Sequence, residues 1–372
     1  MRLLLCGGGT AGHVNPAIAV AEELKSRDAD AKILFIGRTG GQENELITAS
    51  GYELKTVKVE GLKRSMSTDN VRRVITALKA RSAAEQIIRE FAPDVILGTG
   101  GYVCWPVISA GRRLGIPTAI HESNLTPGMT TKMLAAKCDR VFLNHEKTAE
   151  YLSQKTRCIT VGNPLRSDFE HVDRRAARRK MGLRDDDIFL LSFGGSIGAE
   201  CINKVMAEVM ESYSSKTPKL RHLHATGKRY YRPEEKKYMG AGVGGCRMTP
   251  YVSNMPTAMT AADIVVSRCG AMTLSELSAA GVAAILIPSP NVTGDHQLKN
   301  AIYLKERGAA EVIEEKDLSA KRLIDSINSL IIDENGRKNR AKTINELFVP
   351  RAAEKLVNEL FSINSKAKGA VL

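Results

Sequence analysis

The sequence predicts an α/β protein made of two Rossmann-like domains, and three observations carry that prediction. Short runs rich in Val, Ile and Leu alternate with segments of helical periodicity, the pattern of buried parallel strands in βαβ units. A strand, a glycine turn and a helix occur together twice. Arg2–Cys6 leads into Gly8-Gly9-Thr10-Ala11-Gly12, and Ile188–Phe193 leads into Gly194-Gly195-Ser196-Ile197-Gly198. Finally, 372 residues suit two domains of roughly 100–200 residues each.

The elements follow in order. In the first half the expected strands are Arg2–Cys6, Lys32–Ile36, Val95–Leu97, Thr118–His121, Arg140–Leu143 and Thr160–Val161. In the second they are Phe189–Phe193, Arg221–Ala225, Arg247–Thr249, Ile264–Val266, Ala284–Ile287 and Glu311–Ile313. The helix after the second glycine turn shows Ile202, Val205, Met206, Val209 and Met210 on one face at a period near 3.6. Asn163-Pro164 marks the boundary, because proline stops the preceding element. The domains are therefore expected at 1–164 and 165–344, with a terminal amphipathic helix in about 345–364. Between the boundary and the second domain's first strand, Arg174, Arg175, Arg178, Arg179 and Lys180 read as a solvated helix.

Composition narrows the function. The net charge is +13, which favours anionic partners: nucleic acid, acidic lipid or phosphorylated substrates. The excess is spread over both halves with no basic arm, and aromatics are 5%, too few for a single-strand stacking platform; no nucleic acid is expected as partner. Seven cysteines without a CxxC pair read as reduced thiols rather than a disulfide frame or zinc site. Asp185-Asp186-Asp187 lies between a charged helix and a strand and is not expected to hold a metal. The longest uncharged stretches, Val95–Gly111 and Leu277–Gly294, are interrupted by Gly and Pro, so no spanning helix is expected. The first residues are too short a run for a signal peptide.

Five clusters carry chemistry. Gly7-Gly8-Gly9-Thr10-Ala11-Gly12-His13 sits between strand and helix, where backbone N–H groups and the helix dipole favour an anion. It also fits G-x-G-x-x-G, so a dinucleotide enzyme is a rival. Gly37-Arg38 stands where that fingerprint wants an acid, although arginine could suit NADP. His13 is either a functional group at the strand's carboxyl edge or a polar first-turn residue. Gly98-Thr99-Gly100-Gly101-Tyr102 is either a phosphate cradle or a tight turn, and His121-Glu122-Ser123-Asn124 offers either ligand-facing side chains or a core histidine. Ser267–Glu276 combines a small-residue helix start with hydroxyls and a glutamate one turn in, suited to phosphate and ribose or simply to capping. Gly294-Asp295-His296-Gln297 suits sugar hydroxyls or is a polar loop. Lys63, Arg64, Arg72, Arg73, Lys79 and Arg81 interleave with Val71, Val74, Ile75 and Leu78 at helical spacing. Such a helix can lie on an anionic bilayer or face its own core.

The five clusters, with Gly162-Asn163-Pro164-Leu165-Arg166, Gly194-Gly195-Ser196-Ile197-Gly198-Ala199 and Asp295-His296-Gln297-Leu298-Lys299-Asn300-Ala301, resemble the MurG family from Gly7 to about Leu360. That family transfers N-acetylglucosamine from UDP-GlcNAc to lipid-linked N-acetylmuramoyl-pentapeptide, lipid I to lipid II, in peptidoglycan synthesis. The resemblance implies a GT-B fold, two Rossmann-like domains facing across a deep cleft, with a C-terminal helix returning to the first. It implies inversion with His13 as base and with neither cofactor nor metal. Arg166 and Ser196 would meet the donor diphosphate, Val252 uracil, and the run Ala271-Met272-Thr273-Leu274-Ser275-Glu276 the phosphates and ribose. Gln297, with His296, would read the sugar, while Thr10, Ala11, Gly12 and Asn124 close over the donor. Gly100, Gly101 and Tyr102 would face the acceptor pyrophosphate. Ala11 departs from a glycine of many relatives, and Ser123–Gly128 differs in side chains. The implied place is peripheral, on the cytoplasmic face of the cell membrane, against an anionic surface. A UDP-GlcNAc 2-epimerase, an NADP oxidoreductase and a non-catalytic nucleotide-sugar sensor are the alternatives.

Overall fold

The computed structural model describes every residue except 42, 62–67, 214–218, 232–244 and 370–372; the side chains of 43, 68–71, 293 and 366–369 also lie outside the description. The chain forms two compact units, Met1–Arg166 with Val349–Leu372, and Ser167–Phe348.

In the first unit the elements are β1 (Arg2–Cys6), α1 (Ala11–Arg27), β2 (Lys32–Arg38), α2 (Glu43–Ala49), β3 (Glu53–Val57), α3 (Thr68–Phe91) and β4 (Val95–Gly98). They continue with α4 (Cys104–Arg113), β5 (Thr118–Glu122), α5 (Met129–Leu134), β6 (Arg140–Leu143) and β7 (Cys158–Thr160). Among the described residues the seven strands form one parallel sheet in the order β3-β2-β1-β4-β5-β6-β7. β1 is apolar from Leu3 to Cys6 because both of its faces are buried there. Leu3 and Leu5 pack with α1 and the C-terminal helix Ala352–Gly369, through Val14, Leu24, Leu356 and Leu360. Leu4 and Cys6 point the other way, toward Ile88 of α3 and Val107 and Ile108 of α4. The C-terminal helix is fastened to α1 by Arg27, whose Nη1 donates to Asn358 Oδ1 at 2.6 Å.

The second unit holds α6 (Arg174–Lys180), β8 (Ile188–Phe193), α7 (Glu200–Tyr213), β9 (Leu220–Ala225), β10 (Cys246–Thr249), α8 (Met255–Ala261) and β11 (Ile264–Ser267). It closes with α9 (Ala271–Ala280), β12 (Ala283–Leu286), α10 (His296–Lys305), β13 (Ala310–Val312), α11 (Ala320–Ile332) and α12 (Glu334–Asn345). Its six-stranded parallel sheet runs β10-β9-β8-β11-β12-β13 among the described residues. The apolar face expected for α7 is buried, with Ile202, Met206, Val209 and Met210 against Leu190, Val266 and Leu323.

Three expectations need correction. β3 was not anticipated: it is an edge strand on which Glu53 and Lys55 face solvent, so it lacks an apolar run. β7 begins earlier than expected and ends at Thr160. The basic helix α6 is not merely solvated. Arg174 Nη1 donates to the carbonyls of Thr260 (2.8 Å) and Ala262 (2.6 Å) at the end of α8. Arg174 and Arg178 both pair with Asp263, at 2.7 and 3.0 Å. Two guanidinium groups thus satisfy carbonyls that a helix C-terminus leaves without intrahelical donors.

Candidate functional site

In the first unit, β1 and β4 are neighbours from which the sheet order runs outward in both directions, the switch point where open α/β sheets bind ligands at their carboxyl ends. The two glycine turns meet there. Gly8 N–H donates to the Gly100 carbonyl at 3.2 Å. A Cβ on Gly101, which has φ +86°, would lie 2.1 Å from the Gly8 carbonyl oxygen. A Cβ on Gly100 would lie 2.5 Å from His13 Cδ2. No side chain fits at either position, which explains the paired glycines. Thr10 opens α1 in extended geometry without a side-chain cap, followed by Ala11 and Gly12. His13 Nδ1 lies 2.8 Å from the Gly8 carbonyl oxygen. Since a carbonyl only accepts, Nδ1 carries a proton, and the tautomer this bond selects is the one whose Nε2 presents a lone pair. Thr99 supports the same turn from beneath, its Oγ1 donating to the His13 carbonyl at 2.6 Å.

Tyr102 is 50% exposed, and a Cβ on Gly61 would fall 2.2 Å from its ring, so the ring lies flat on the Gly61 backbone. Asn124 follows β5, and Glu122 fixes it. Glu122 Oε1 accepts from Asn124 N and Nδ2, both at 3.0 Å. Glu122 Oε2 accepts from Gly128 N (2.9 Å) and Thr131 Oγ1 (2.6 Å). His121 is a core histidine. It is buried, bonded through Nε2 to the Gly162 carbonyl at 2.9 Å, and burial holds its pKa below the ordinary value.

The second unit repeats the arrangement. β8 and β11 are neighbours at the switch point of their sheet. Ser196 is exposed in the turn Gly194–Gly198, where Gly195 has φ +94° and Gly198 +86°. α9 starts with Gly270 as N-cap and no side-chain cap bond, so the capping alternative for this segment does not hold. Its first turn, Ala271, Met272 and Thr273, presents the N–H end of the helix dipole, an anion-favouring environment. Met272 and Leu274 are buried, which turns Thr273, Ser275 and Glu276 toward a less covered side. Glu276 is half-buried; loss of water raises its pKa to about 7, and the charge of Asp168 adds to the effect. Gln297, near the start of α10, accepts at Oε1 from Ser289 N (2.9 Å) and Cys269 N (3.3 Å). Both partners are donors, so the orientation of this amide is fixed with its NH2 pointing away from them. His296 begins α10 after Gly294 (φ +69°) and Asp295 (φ +54°). Val252 is buried beside exposed Tyr251.

Thus His13, Thr10, Ala11 and Gly12 lie together with Gly100, Gly101 and Tyr102 in the first unit. In the second, Ser196, the 271–276 run and Gln297 lie at the carboxyl edge of their sheet. Arg166 is exposed at the last position of the first unit's main segment. Sequence reasoning missed Gly61, the bond from Thr99 to the His13 carbonyl and the clamp role of Glu122. It also missed the partners of Arg268, which pairs with Glu315 at 2.5 Å and donates to Cys201 Sγ at 3.2 Å. Asp187 of the acidic triplet is buried and held by Arg184 (3.1 Å) and Arg221 (3.3 Å).

Three apolar side chains of α3 do not face their own core. Val74, Ile75 and Leu78 are 47%, 50% and 43% exposed, while Ala80, Ala84 and Ile88 form the core-facing side. Lys63, Arg64 and the side chain of Val71 lie outside the described residues. Met129 and Met133 of α5 are exposed on the same face of the sheet, and a crevice there is lined by Arg81, Trp105, Arg112, Arg113 and Lys137.

The chain matches the glycosyltransferase family 28 N-terminal domain over residues 3–143 and the glycosyltransferase family 28 C-terminal domain over residues 189–356. It is 40% identical over 370 residues to the UDP-N-acetylglucosamine–N-acetylmuramyl-(pentapeptide) pyrophosphoryl-undecaprenol N-acetylglucosamine transferase of Acetivibrio thermocellus, covering 99% of this chain and 100% of that protein. The crystal structure of Acinetobacter baumannii MurG aligns with TM-score 0.76 and 25% identity, over 97% of this chain and 99% of that one. The UDP-GlcNAc 2-epimerase of Neisseria meningitidis, solved with UDP-GlcNAc, shares the fold alone: TM-score 0.64 and 14% identity, over 97% and 100% of the two chains.

Proposed function

The chain belongs to glycosyltransferase family 28, on the MurG branch, and from that premise we propose that it transfers N-acetylglucosamine from UDP-GlcNAc to the C4 hydroxyl of lipid-linked N-acetylmuramoyl-pentapeptide. The protein is a UDP-GlcNAc-dependent glycosyltransferase of peptidoglycan synthesis. The observation that carries the mechanism is the His13–Gly8 bond, which commits Nδ1 as donor and leaves Nε2 as acceptor.

The acceptor's C4 oxygen attacks the anomeric carbon as the bond to the UDP β-phosphate oxygen breaks. Its proton passes to His13 Nε2, and the configuration inverts. A positioned base of this kind contributes about 10²–10⁴-fold. The departing diphosphate gathers charge, and the start of α9, the Gly194–Gly198 turn around Ser196, and Arg166 supply fixed dipoles and one cation to receive it. Glu276 accepts from the ribose hydroxyls, Val252 offers backbone to uracil, and Gln297 donates its NH2 to the sugar. Gly100, Gly101 and Tyr102 receive the acceptor's pyrophosphate, and Asn124, held by Glu122, contacts the donor.

The acceptor is a lipid, and the exposed apolar stripe of α3 with its flanking Arg72, Lys79 and Arg81 supports peripheral docking on an anionic membrane surface at the cytoplasmic face. No helix among the described residues is long and apolar enough to cross a membrane. UDP release from UDP-GlcNAc, followed with and without a lipid I analogue, tests the proposal. Release that depends on the analogue is expected. Conversion of UDP-GlcNAc to its 2-epimer without any acceptor would replace the reading with the epimerase alternative.

A further inference from the structure

A chain of polar side chains, buried except for half-buried Asn203, runs beside the second unit's glycine turn, and its direction can be derived from one end. The Thr226 carbonyl only accepts, so Asn203 on α7 donates to it through Nδ2, at 2.9 Å. Asn203 Oδ1 then faces His224 Nε2 at 3.1 Å, which must carry the proton. His224 Nδ1 is therefore bare and accepts from Ser192 Oγ at 2.8 Å. With its one proton spent, Ser192 accepts from His222 Nε2 at 2.7 Å. Every link is fixed: His222 to Ser192 to His224 to Asn203 to Thr226. His222, Ser192 and His224 are fully buried, and desolvation lowers both imidazole pKa values, His224 to about 4, so both rings are neutral at working pH.

The end of this chain is the backbone that shapes the turn. A Cβ on Gly198 would lie 2.1 Å from the Thr226 carbonyl oxygen, and one on Gly227 would lie 2.4 Å from the Ile197 carbonyl oxygen. The turns after β8 and β9 are thus packed backbone on backbone at both contacts, with the Tyr230 ring also against Gly198. Rotation of the Thr226 peptide moves Ile197-Gly198, and with it the Ser196 turn. We propose that Asn203 and His224 are positioning residues for the donor diphosphate, acting through the Thr226 carbonyl on the Gly194–Gly198 turn. This rests on the reading that the second unit binds UDP-GlcNAc.

The test is steady-state kinetics of full-length variants with UDP-GlcNAc and a lipid I analogue, with thermal melts alongside. Asn203→Asp removes the donor and sets an oxygen against the Thr226 carbonyl. His224→Leu removes the proton that orients Asn203, while His224→Gln keeps an N–H near the Nε2 position. The donor KM is expected to rise about tenfold or more in Asn203→Asp and His224→Leu, with the acceptor KM within about threefold, and to return toward wild type in His224→Gln. A purely structural role would lower the melting temperature without moving the donor KM selectively. If Asn203→Asp does not fold, His224→Leu and Ser192→Ala read the same linkage. Glu276→Ala separates the two claims. A raised donor KM in Glu276→Ala with wild-type donor KM in the chain variants overturns the positioning proposal alone. An unchanged donor KM in all of them overturns the donor-site reading on which it rests.

Discussion

Gly101 and Gly8 touch through backbone alone: a Cβ placed on Gly101 would stand 2.1 Å from the Gly8 carbonyl oxygen, the same oxygen that holds His13 Nδ1. One carbonyl therefore couples the turn after β4 to the tautomer of His13. Gly101→Ala must displace this carbonyl and also strain a φ of +86°. The expected result is loss of turnover by about 10²-fold or more, because the imidazole loses its orientation. The melting temperature should fall by an amount matching about 1–3 kcal/mol. Acceptor-dependent UDP release and a thermal melt check this, and a fully active Gly101→Ala variant would contradict it.

Glu122 is buried with both oxygens committed to donors. Glu122→Gln keeps the shape but turns one acceptor into an NH2 group facing donors. A cost of about 1–3 kcal/mol in unfolding free energy is expected from the unpaired donors. Freed from its clamp, Asn124 should also lose contact with the donor. Chemical denaturation and donor KM, measured together, should both move; a change in neither would contradict the clamp.

Glu276 gives a pH dependence whose sign can be worked out. Its folded pKa of about 7 lies above the ordinary 4.5, so folding favours the protonated form. The group adds no penalty at low pH, and stability falls as pH rises from about 4.5 to 7, by at most about 3 kcal/mol before allowance for its partial exposure. Glu276→Gln should therefore melt higher than wild type at pH 8 and equal to it near pH 4.5. If ribose hydroxyls donate to the carboxylate, wild-type UDP affinity should be about tenfold tighter at pH 8 than at pH 6. Calorimetric titration of Glu276→Gln, which should lack that component, removes the contribution of UDP's own ionisation.

Replacing Ile75 and Leu78 by Ser should reduce sedimentation with vesicles containing anionic lipid while leaving the melting temperature within about 1 °C, because neither side chain lies in the core. Arg72→Glu should act in the same direction and lose its effect at high salt. Vesicle binding that is unchanged in both variants would contradict docking through α3.

The sheets and glycine turns were legible because their causes are local. β1 is apolar at every buried position, and Gly101, Gly195 and Gly198 stand where φ is positive. β3 was illegible because an edge strand with Glu53 and Lys55 in solvent has no apolar signature. The α6 arginines looked solvated because their partner, Asp263, is more than eighty positions away. His121 and His13 both follow glycine- or strand-end patterns, yet one is sealed in the core and the other is not. Local pattern does not encode burial near a strand's end; the Gly162 carbonyl, which meets His121 Nε2 from forty-one positions away, does. The role of Asn203 likewise depends on partners, His224 and Thr226, that lie more than twenty positions away and that the fold brings near.

The most direct test of the account compares wild type with His13→Ala in two assays on the same preparation: acceptor-dependent UDP release and equilibrium binding of UDP-GlcNAc. Turnover should fall by about 10²–10⁴-fold, the contribution of a positioned base, while donor affinity stays within about threefold. Turnover within about threefold of wild type would show that another group takes the acceptor's proton.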